Sequence, residues 1–245
     1  MQKMQKNKIL VFAILCPGLY ILKISQQKER VSMEFTTLEI LDLAGTIIFA
    51  LTGAVKGVRK RLDIFGVTVL ACCVGVGGGI TRDVILGSYP VTALSDQKYI
   101  LICILTGIIS FATARYWMKI RNIIQAGDAI GLGVFTFLGA QKAVQCGAGH
   151  TGIILCGIMT AIGGGIIRDV FTGNIPVVLK SDFYATASMA GAIVFCLIKP
   201  LELPLGVTFI ISAGTVSTLR LLAIRLKLQL PAAGYLNHGK KNRTR

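Results

Sequence analysis

Residues 75–90 read GVGGGITRDVILGSYP and lie within one of the most apolar parts of the chain. Each glycine in a helix costs about 1 kcal/mol, and a charged side chain at the centre of a membrane helix costs about 3 kcal/mol. Residues 161–176 repeat the pattern as AIGGGIIRDVFTGNIP. An apolar segment that carries both disfavoured features, and does so twice, indicates a functional element.

The composition indicates a membrane protein. Of the 245 residues, 53% are hydrophobic and 15% are charged, whereas soluble domains carry about 25% charged residues. Seven apolar stretches are long enough to cross about 30 Å of hydrocarbon. They lie near residues 38–56, 64–87, 99–118, 128–145, 152–173, 182–199 and 204–224. We therefore predict an all-α integral membrane protein with seven transmembrane helices.

The two glycine-rich segments belong to a long internal repeat. With an offset of 86 residues, about 20 of about 55 aligned positions are identical without a gap, which indicates a duplication. The identical pairs include Asp42/Asp128, Gly45/Gly131, Phe49/Phe135, Gly53/Gly139, Lys56/Lys142, Arg82/Arg168, Asp83/Asp169, Gly87/Gly173 and Pro90/Pro176. Each copy holds three predicted crossings, an odd number, so the second copy would enter the membrane from the opposite side. The prediction is two inverted three-helix repeats followed by a seventh helix.

This organisation divides the chain into five parts. They are an N-terminal extension or signal-anchor-like segment at 1–32, the first repeat at 33–121, the second repeat at 122–200, the seventh helix at 201–227 and a basic cytoplasmic tail at 228–245. The first part has a basic start and a short apolar core. Three interpretations of it stay open: a signal anchor, a cleaved leader, or an extension upstream of a true start at Met33.

The distribution of positive charge predicts the orientation. Lys and Arg are frequent in the first and third loops and at the C-terminal end, with Arg220 among them, whereas the second, fourth and sixth loops hold only Lys98, Lys142 and Lys199. By the positive-inside rule, the N-terminus lies outside and the C-terminus in the cytoplasm, in the cell inner membrane. The net charge of +15 comes from basic residues that lie between and after the apolar stretches. This distribution is typical of a membrane protein, so we expect the basic tail to bind lipid headgroups rather than nucleic acid.

The glycine triplets are predicted to interrupt two helices near the bilayer midplane. Irregular backbone at that depth occurs where it is buried or lines a wet cavity. The predicted pore or helix-break residues are Gly77, Gly78, Gly79, Gly163, Gly164 and Gly165, and the predicted charged pore or gate residues are Arg82, Asp83, Arg168, Asp169, Lys56 and Lys142. Because residues i and i+1 do not face each other on a helix, Arg82 is expected to pair across the axis between the copies or with a carbonyl rather than with its own Asp83. Asp42 and Asp128 are expected to open their helices, where carboxylates are favoured.

The sequence shows no catalytic triad, paired-carboxylate or metal-ligand pattern, so it predicts neither an enzyme nor a metal or other cofactor. The seven cysteines include no C-x-x-C pair and are expected to act as small buried hydrophobic residues. The sequence leaves open whether Cys146 forms a disulfide.

The duplicated motifs resemble a known family. G-A-x-K in the first helix of each copy, GGG-x-x-R-D-V in the second and G-x-x-P after it are similar to the bacterial relatives of trimeric intracellular cation (TRIC-type) channels, whose repeated domain is also named for glycine transport. The resemblance covers about residues 36–225. It implies a homotrimer with a pore for K⁺, Na⁺ and other monovalent cations in each subunit, lined by helices kinked at the glycine triplets. Eukaryotic members are similar but carry Lys-Glu-Val where this chain has Arg-Asp-Val, so their regulation is not implied.

Physical reasoning from the residues alone leaves three functions open. In a channel, exposed carbonyl dipoles would replace part of a cation's hydration shell, and the aspartates would offset the repulsion from the arginines. In a carrier for glycine or another small amino acid, an arginine at the midplane would suit the substrate carboxylate. In a structural or lipid-binding protein, the repeats would serve packing alone.

Overall fold

The computed structural model describes residues 17–120, 122–180 and 183–226. In these ranges the chain forms ten α-helices: α1 Pro17–Arg59, α2 Ile64–Ile85, α3 Thr92–Ser95, α4 Gln97–Ala112, α5 Ala114–Lys119, α6 Ile123–Gln145, α7 His150–Phe171, α8 Val177–Lys180, α9 Ala185–Ile198 and α10 Leu205–Leu226. A short 3-10 helix, Lys199–Leu201, follows α9. The contacts divide the chain into two units, 1–41 and 42–245, and all the side chains of the candidate site belong to the second.

The chain is an all-helical, multi-pass membrane protein. Among the described residues, five helices are long and apolar enough to cross a membrane: Thr36–Arg59 within α1, and α2, α6, α7 and α10. Two further apolar helices, α4 and α9, are shorter. Each of the seven predicted stretches overlaps one of these helices. Residues 17–32 of the predicted N-terminal extension belong to α1, whereas 1–16 and the tail 228–245 lie outside the described residues.

Both glycine triplets lie within unbroken α-helices. The helical backbone of α2 continues through Gly77–Gly79, and that of α7 continues through Gly163–Gly165. The predicted interruption of these helices, with unwound carbonyls at the midplane, is therefore wrong. The physical reason is packing, because glycine lets two helix backbones approach closely.

The central glycine of each triplet lies directly against the other copy. A β-carbon on Gly164 would lie 2.6 Å from the carbonyl oxygen of Val74, and one on Gly78 would overlap the carbonyl oxygen of Thr160. Val74 and Thr160 are themselves equivalent under the 86-residue offset. The same contact therefore occurs twice with its partners exchanged, and it presses α2 against α7.

A second exchanged contact lies beside the first. Gly45 packs against the ring of Phe135, and Gly131 packs against the ring of Phe49. The two rings contact each other with their centroids 4.9 Å apart. Each copy thus presents its glycine to the phenylalanine of the other copy.

Within each copy the helices pack in an equivalent way. A β-carbon on Gly53 of α1 would lie 2.9 Å from the carbonyl oxygen of Leu70, and one on Gly139 of α6 would lie 2.8 Å from that of Cys156. The second helix of each copy ends at a glycine in the left-handed conformation, Gly87 at φ 62° and Gly173 at φ 68°. These glycines open the G-x-x-P motif, so the motif closes the helix.

The last helix, α10, belongs with the second copy. It packs against α6 and α9. Ser212 Oγ donates a hydrogen bond to the Gly191 carbonyl at 3.0 Å, and Ser217 Oγ donates one to the Ala129 carbonyl at 3.1 Å. This helix therefore makes the environments of the two copies different.

Candidate functional site

Three charged residues of the repeat, together with a tyrosine, form a buried cluster in the second copy. Arg168 of α7 binds Asp128 of α6 through both terminal nitrogens, with Nη2 lying 3.0 Å from Oδ2. Its Nε donates to Asp169 Oδ1 at 3.2 Å, and its Nη1 donates to Thr52 Oγ1 at 3.3 Å. Only 1% of the Arg168 side chain is exposed. We name Asp128, Arg168, Asp169 and Tyr184 the second cluster.

The equivalent Asp-Arg-Asp residues of the first copy form a looser cluster, joined by a tyrosine, Tyr99, that is not the repeat equivalent of Tyr184. Arg82 Nε donates to Asp83 Oδ1 at 2.8 Å, and a single nitrogen, Nη1, reaches Asp42 Oδ2 at 3.4 Å. Tyr99 Oη also donates to Asp42 Oδ2 at 3.4 Å. We name Asp42, Arg82, Asp83 and Tyr99 the first cluster.

The second aspartate of each cluster anchors the chain that follows its helix. Asp83 Oδ2 accepts the backbone N–H of Thr92, and Asp169 Oδ2 accepts that of Val177, each at 2.9 Å. The Arg-Asp dipeptide thus connects the end of the helix, the G-x-x-P turn and the short helix beyond it.

Two predictions about these residues are wrong. Each arginine does bind its own neighbouring aspartate, because a long side chain can curve along the helix surface and bring Nε to the next carboxylate. Asp42 and Asp128 do not open their helices. Asp42 lies well inside α1, and both carboxylates are ion-pair partners of the arginines, Asp128 buried and Asp42 partly buried. Each lies 40 residues before its arginine, so the repeat itself could have revealed the pairing.

Additional positive charge surrounds the second cluster. The guanidinium of Arg220, from α10, lies 4.9 Å from the centre of the Tyr184 ring and interacts electrostatically with Asp128. Lys56 of α1 interacts electrostatically with Asp169 and Asp128. Arg220 was counted among the charges of the C-terminal end, but it is buried inside a helix, so that part of the count is wrong. Lys142, the repeat equivalent of Lys56, lies half-buried in the last turn of α6.

A small cavity lies beside the first cluster. Its lining includes Asp42, Thr46, Arg82, Thr92 and Tyr99, and about 10 Å³ of it is open to the centre of a water molecule. This volume holds about one water.

Both clusters are charged. Each pairs two carboxylates with one guanidinium, and buried groups of this kind interact strongly because the surrounding dielectric is low. Among the described residues, no group of three or more His, Cys, Asp or Glu side chains is placed to hold a metal ion. The six cysteines in that part of the chain are free thiols, and Cys146 is exposed.

Comparisons with known proteins identify close relatives. A family model described as glycine transporter matches the chain twice, over residues 39–115 and 125–200. The chain is 38% identical to a UPF0126 membrane protein of Deinococcus radiodurans, over 65% of this chain and 75% of that protein. It is 34% identical to the UPF0126 inner membrane protein YadS of Escherichia coli, over 82% of this chain and 98% of that protein. A crystal structure of the TRIC trimeric intracellular cation channel orthologue from Rhodobacter sphaeroides superposes with a TM-score of 0.76 at 34% identity, over 79% of this chain and 100% of that chain.

Proposed function

Since the chain belongs to the family whose model is described as glycine transporter, and its fold matches a TRIC-type channel, we propose that it is a membrane channel for K⁺, Na⁺ and other monovalent cations. The observation that carries the proposal is the superposition on the Rhodobacter sphaeroides channel orthologue, which covers all of that chain. By the same likeness, three copies assemble into a homotrimer with a pore in each subunit.

The proposed topology has seven crossings, formed by two inverted three-helix repeats and α10. The exchanged glycine contacts between α2 and α7 support it, as does the double match of the family model with an 86-residue offset. In this arrangement α4 and α9 cross as the third and sixth helices despite their shorter length.

The proposed orientation puts the N-terminus outside and the C-terminus in the cytoplasm of the inner membrane. Arg59, at the end of α1, donates hydrogen bonds to the carbonyls of Trp117 and Ile120 in the connection between α4 and α6. This contact supports a topology in which the first and third loops lie on the same side of the membrane. Both carry the positive charge expected of the cytoplasmic side, and the basic tail would meet lipid headgroups there.

The carboxylates of the two clusters reduce the repulsion that the buried arginines exert on a cation. Each holds one more carboxylate than guanidinium, which offsets the repulsion that a lone arginine would exert on a cation. The glycine triplets and the charged residues Arg82, Asp83, Arg168 and Asp169 are, in this proposal, at or beside the pore.

A planar-bilayer recording tests the function directly. The purified full chain, reconstituted into bilayers with KCl on both sides, should give unitary currents whose reversal potential in a KCl gradient is that of a cation-selective pore. Anion-selective currents, or bilayers that stay silent although the protein is present as folded trimers by cross-linking, would refute the proposal.

A carrier for glycine or another small amino acid is the second candidate. The description of the matching family model favours it, and the guanidinium of Arg82 beside a cavity would suit a substrate carboxylate. Uptake of labelled glycine by proteoliposomes distinguishes the two. Uptake that saturates with glycine concentration, without unitary currents, would establish the carrier instead.

A further inference from the structure

The Asp-Arg-Asp residues of the two clusters are equivalent in sequence but differ in geometry. Arg168 binds Asp128 through two nitrogens, whereas Arg82 reaches Asp42 through one nitrogen at 3.4 Å. The Asp42 side chain is 13% exposed, against 5% for Asp128. The Asp42 carboxylate is thus the more weakly held and the more accessible of the two.

The space beside the last glycine of each triplet also differs between the two copies. A β-carbon on Gly165 would lie 2.7 Å from Tyr184 Oη, whereas the nearest atom to one on Gly79 is Arg82 Nη2 at 3.9 Å. The space beside Gly165 is filled by the tyrosine. The space beside Gly79 belongs to the cavity that Asp42 lines.

The surrounding charges also differ. Arg220 and Lys56 add two positive charges near the carboxylates of the second cluster. The charged groups that act on Asp42 include Arg82 and Asp83, and together the three carry a formal charge of −1 when ionised. Electrostatics therefore favour a cation beside Asp42 and oppose one beside Asp128.

We propose that Asp42, together with the hydroxyl of Tyr99, is a contact site for one dehydrated monovalent cation, whereas the second cluster is a structural ion pair that binds no cation. This inference rests on the proposed channel function and deepens it. A dehydrated K⁺ ion is about as large as a water molecule, so it fits the cavity. Asp42 and Tyr99 supply oxygen atoms, and Thr46 and Thr92 line the same space.

Arg82 need not become unpaired when the cation binds. Its Nε remains 2.8 Å from Asp83, which is itself held by the backbone N–H of Thr92. The single long contact to Asp42 can therefore exchange for a cation. Arg168 has no comparable freedom, because both of its terminal nitrogens bind Asp128.

Two matched pairs of variants test the assignment. Asp42→Asn is expected to lower unitary K⁺ conductance about fivefold, the effect of losing one close charge contact, and to reduce selectivity for K⁺ over Cl⁻. Asp128→Asn should lower the yield and stability of folded protein while each surviving channel keeps its selectivity. If Asp128→Asn does not fold, Tyr99→Phe and Tyr184→Phe serve as the pair, and only Tyr99→Phe should alter conductance.

A binding measurement separates this inference from the channel function. The unfolding midpoint of the purified chain is compared in KCl and in N-methyl-D-glucamine chloride at equal ionic strength. K⁺ should raise the wild-type midpoint, and the increase should disappear in Asp42→Asn but persist in Tyr184→Phe. If the wild type passes no current yet shows this pattern, the cation site stands and the channel proposal fails. If the wild type conducts but Asp42→Asn keeps both its conductance and its K⁺ response, the site is refuted and the channel stands.

Discussion

Alanine substitutions within the first glycine triplet distinguish close packing from backbone flexibility. A β-carbon on Gly78 would overlap the carbonyl oxygen of Thr160, whereas one on Gly79 meets nothing nearer than Arg82 Nη2 at 3.9 Å. Both substitutions gain about 1 kcal/mol of helix propensity. Only Gly78→Ala adds a methyl group to a filled interface, at a cost of about 1–3 kcal/mol. We therefore expect Gly78→Ala to be less stable than Gly79→Ala by about 1–3 kcal/mol.

The assay is equilibrium unfolding in mixed micelles, with the helical circular dichroism signal followed as the fraction of SDS rises and the free energy extrapolated linearly. The expected difference corresponds to about a 5- to 150-fold change in the unfolding equilibrium constant. Gly164→Ala, at the equivalent position of the second copy, should behave like Gly78→Ala. If Gly79→Ala is as damaging as Gly78→Ala, the triplet is required for backbone conformation and the packing argument is wrong.

Three further predictions concern other side chains. Tyr184 Oη is buried without a hydrogen-bond partner among the described residues, so Tyr184→Phe should raise the free energy of unfolding by about 1 kcal/mol. Tyr99→Phe loses its hydrogen bond to Asp42 and should lower the free energy of unfolding. Equal losses of stability in the two variants would contradict this prediction. Arg220→Leu removes the cation above the Tyr184 ring and should lower the free energy of unfolding by about 0.5–2 kcal/mol; an unchanged unfolding curve would show that the contact contributes nothing. In intact cells, a membrane-impermeant maleimide should label the exposed Cys146 from outside and leave Cys146→Ser unlabelled, whereas labelling only after permeabilisation would reverse the proposed orientation.

The sequence was sufficient to place the helices because hydrophobic length is a strong signal in membrane proteins. It also revealed the duplication, and with it the two Arg-Asp pairs. The interruption at the glycines was mispredicted because intrinsic propensity amounts to only about 1 kcal/mol per residue. Close contact between α2 and α7, with each central glycine against a carbonyl of the other helix, offsets that cost. Because α2 and α7 are far apart in the sequence, this contact cannot be predicted from the residues around either glycine triplet.

The partners of the arginines were accessible in principle but were missed. Asp42 and Asp128 are identical under the repeat, and a buried guanidinium needs a buried carboxylate. Their position near the start of an apolar stretch favoured an ordinary helix-end role instead. The difference between the clusters could not be predicted, because Arg220 reaches Tyr184 only through the packing of α10 against the second copy. Because Arg220 lies outside the repeat, its position in the sequence does not indicate which copy it will contact.

The exchanged contacts of Gly78 and Gly164 bear on how such a protein could arise. In the proposed inverted topology, two identical three-helix subunits would make the same contacts as a dimer, with one inserted upward and the other downward. A chain of that kind must lack a strong charge bias, since a bias would send every copy in one direction. Joining the two halves in one gene removes that restriction. Each half then keeps a fixed direction, positive charge can accumulate on one side, and an added helix can modify one half while its twin stays unchanged.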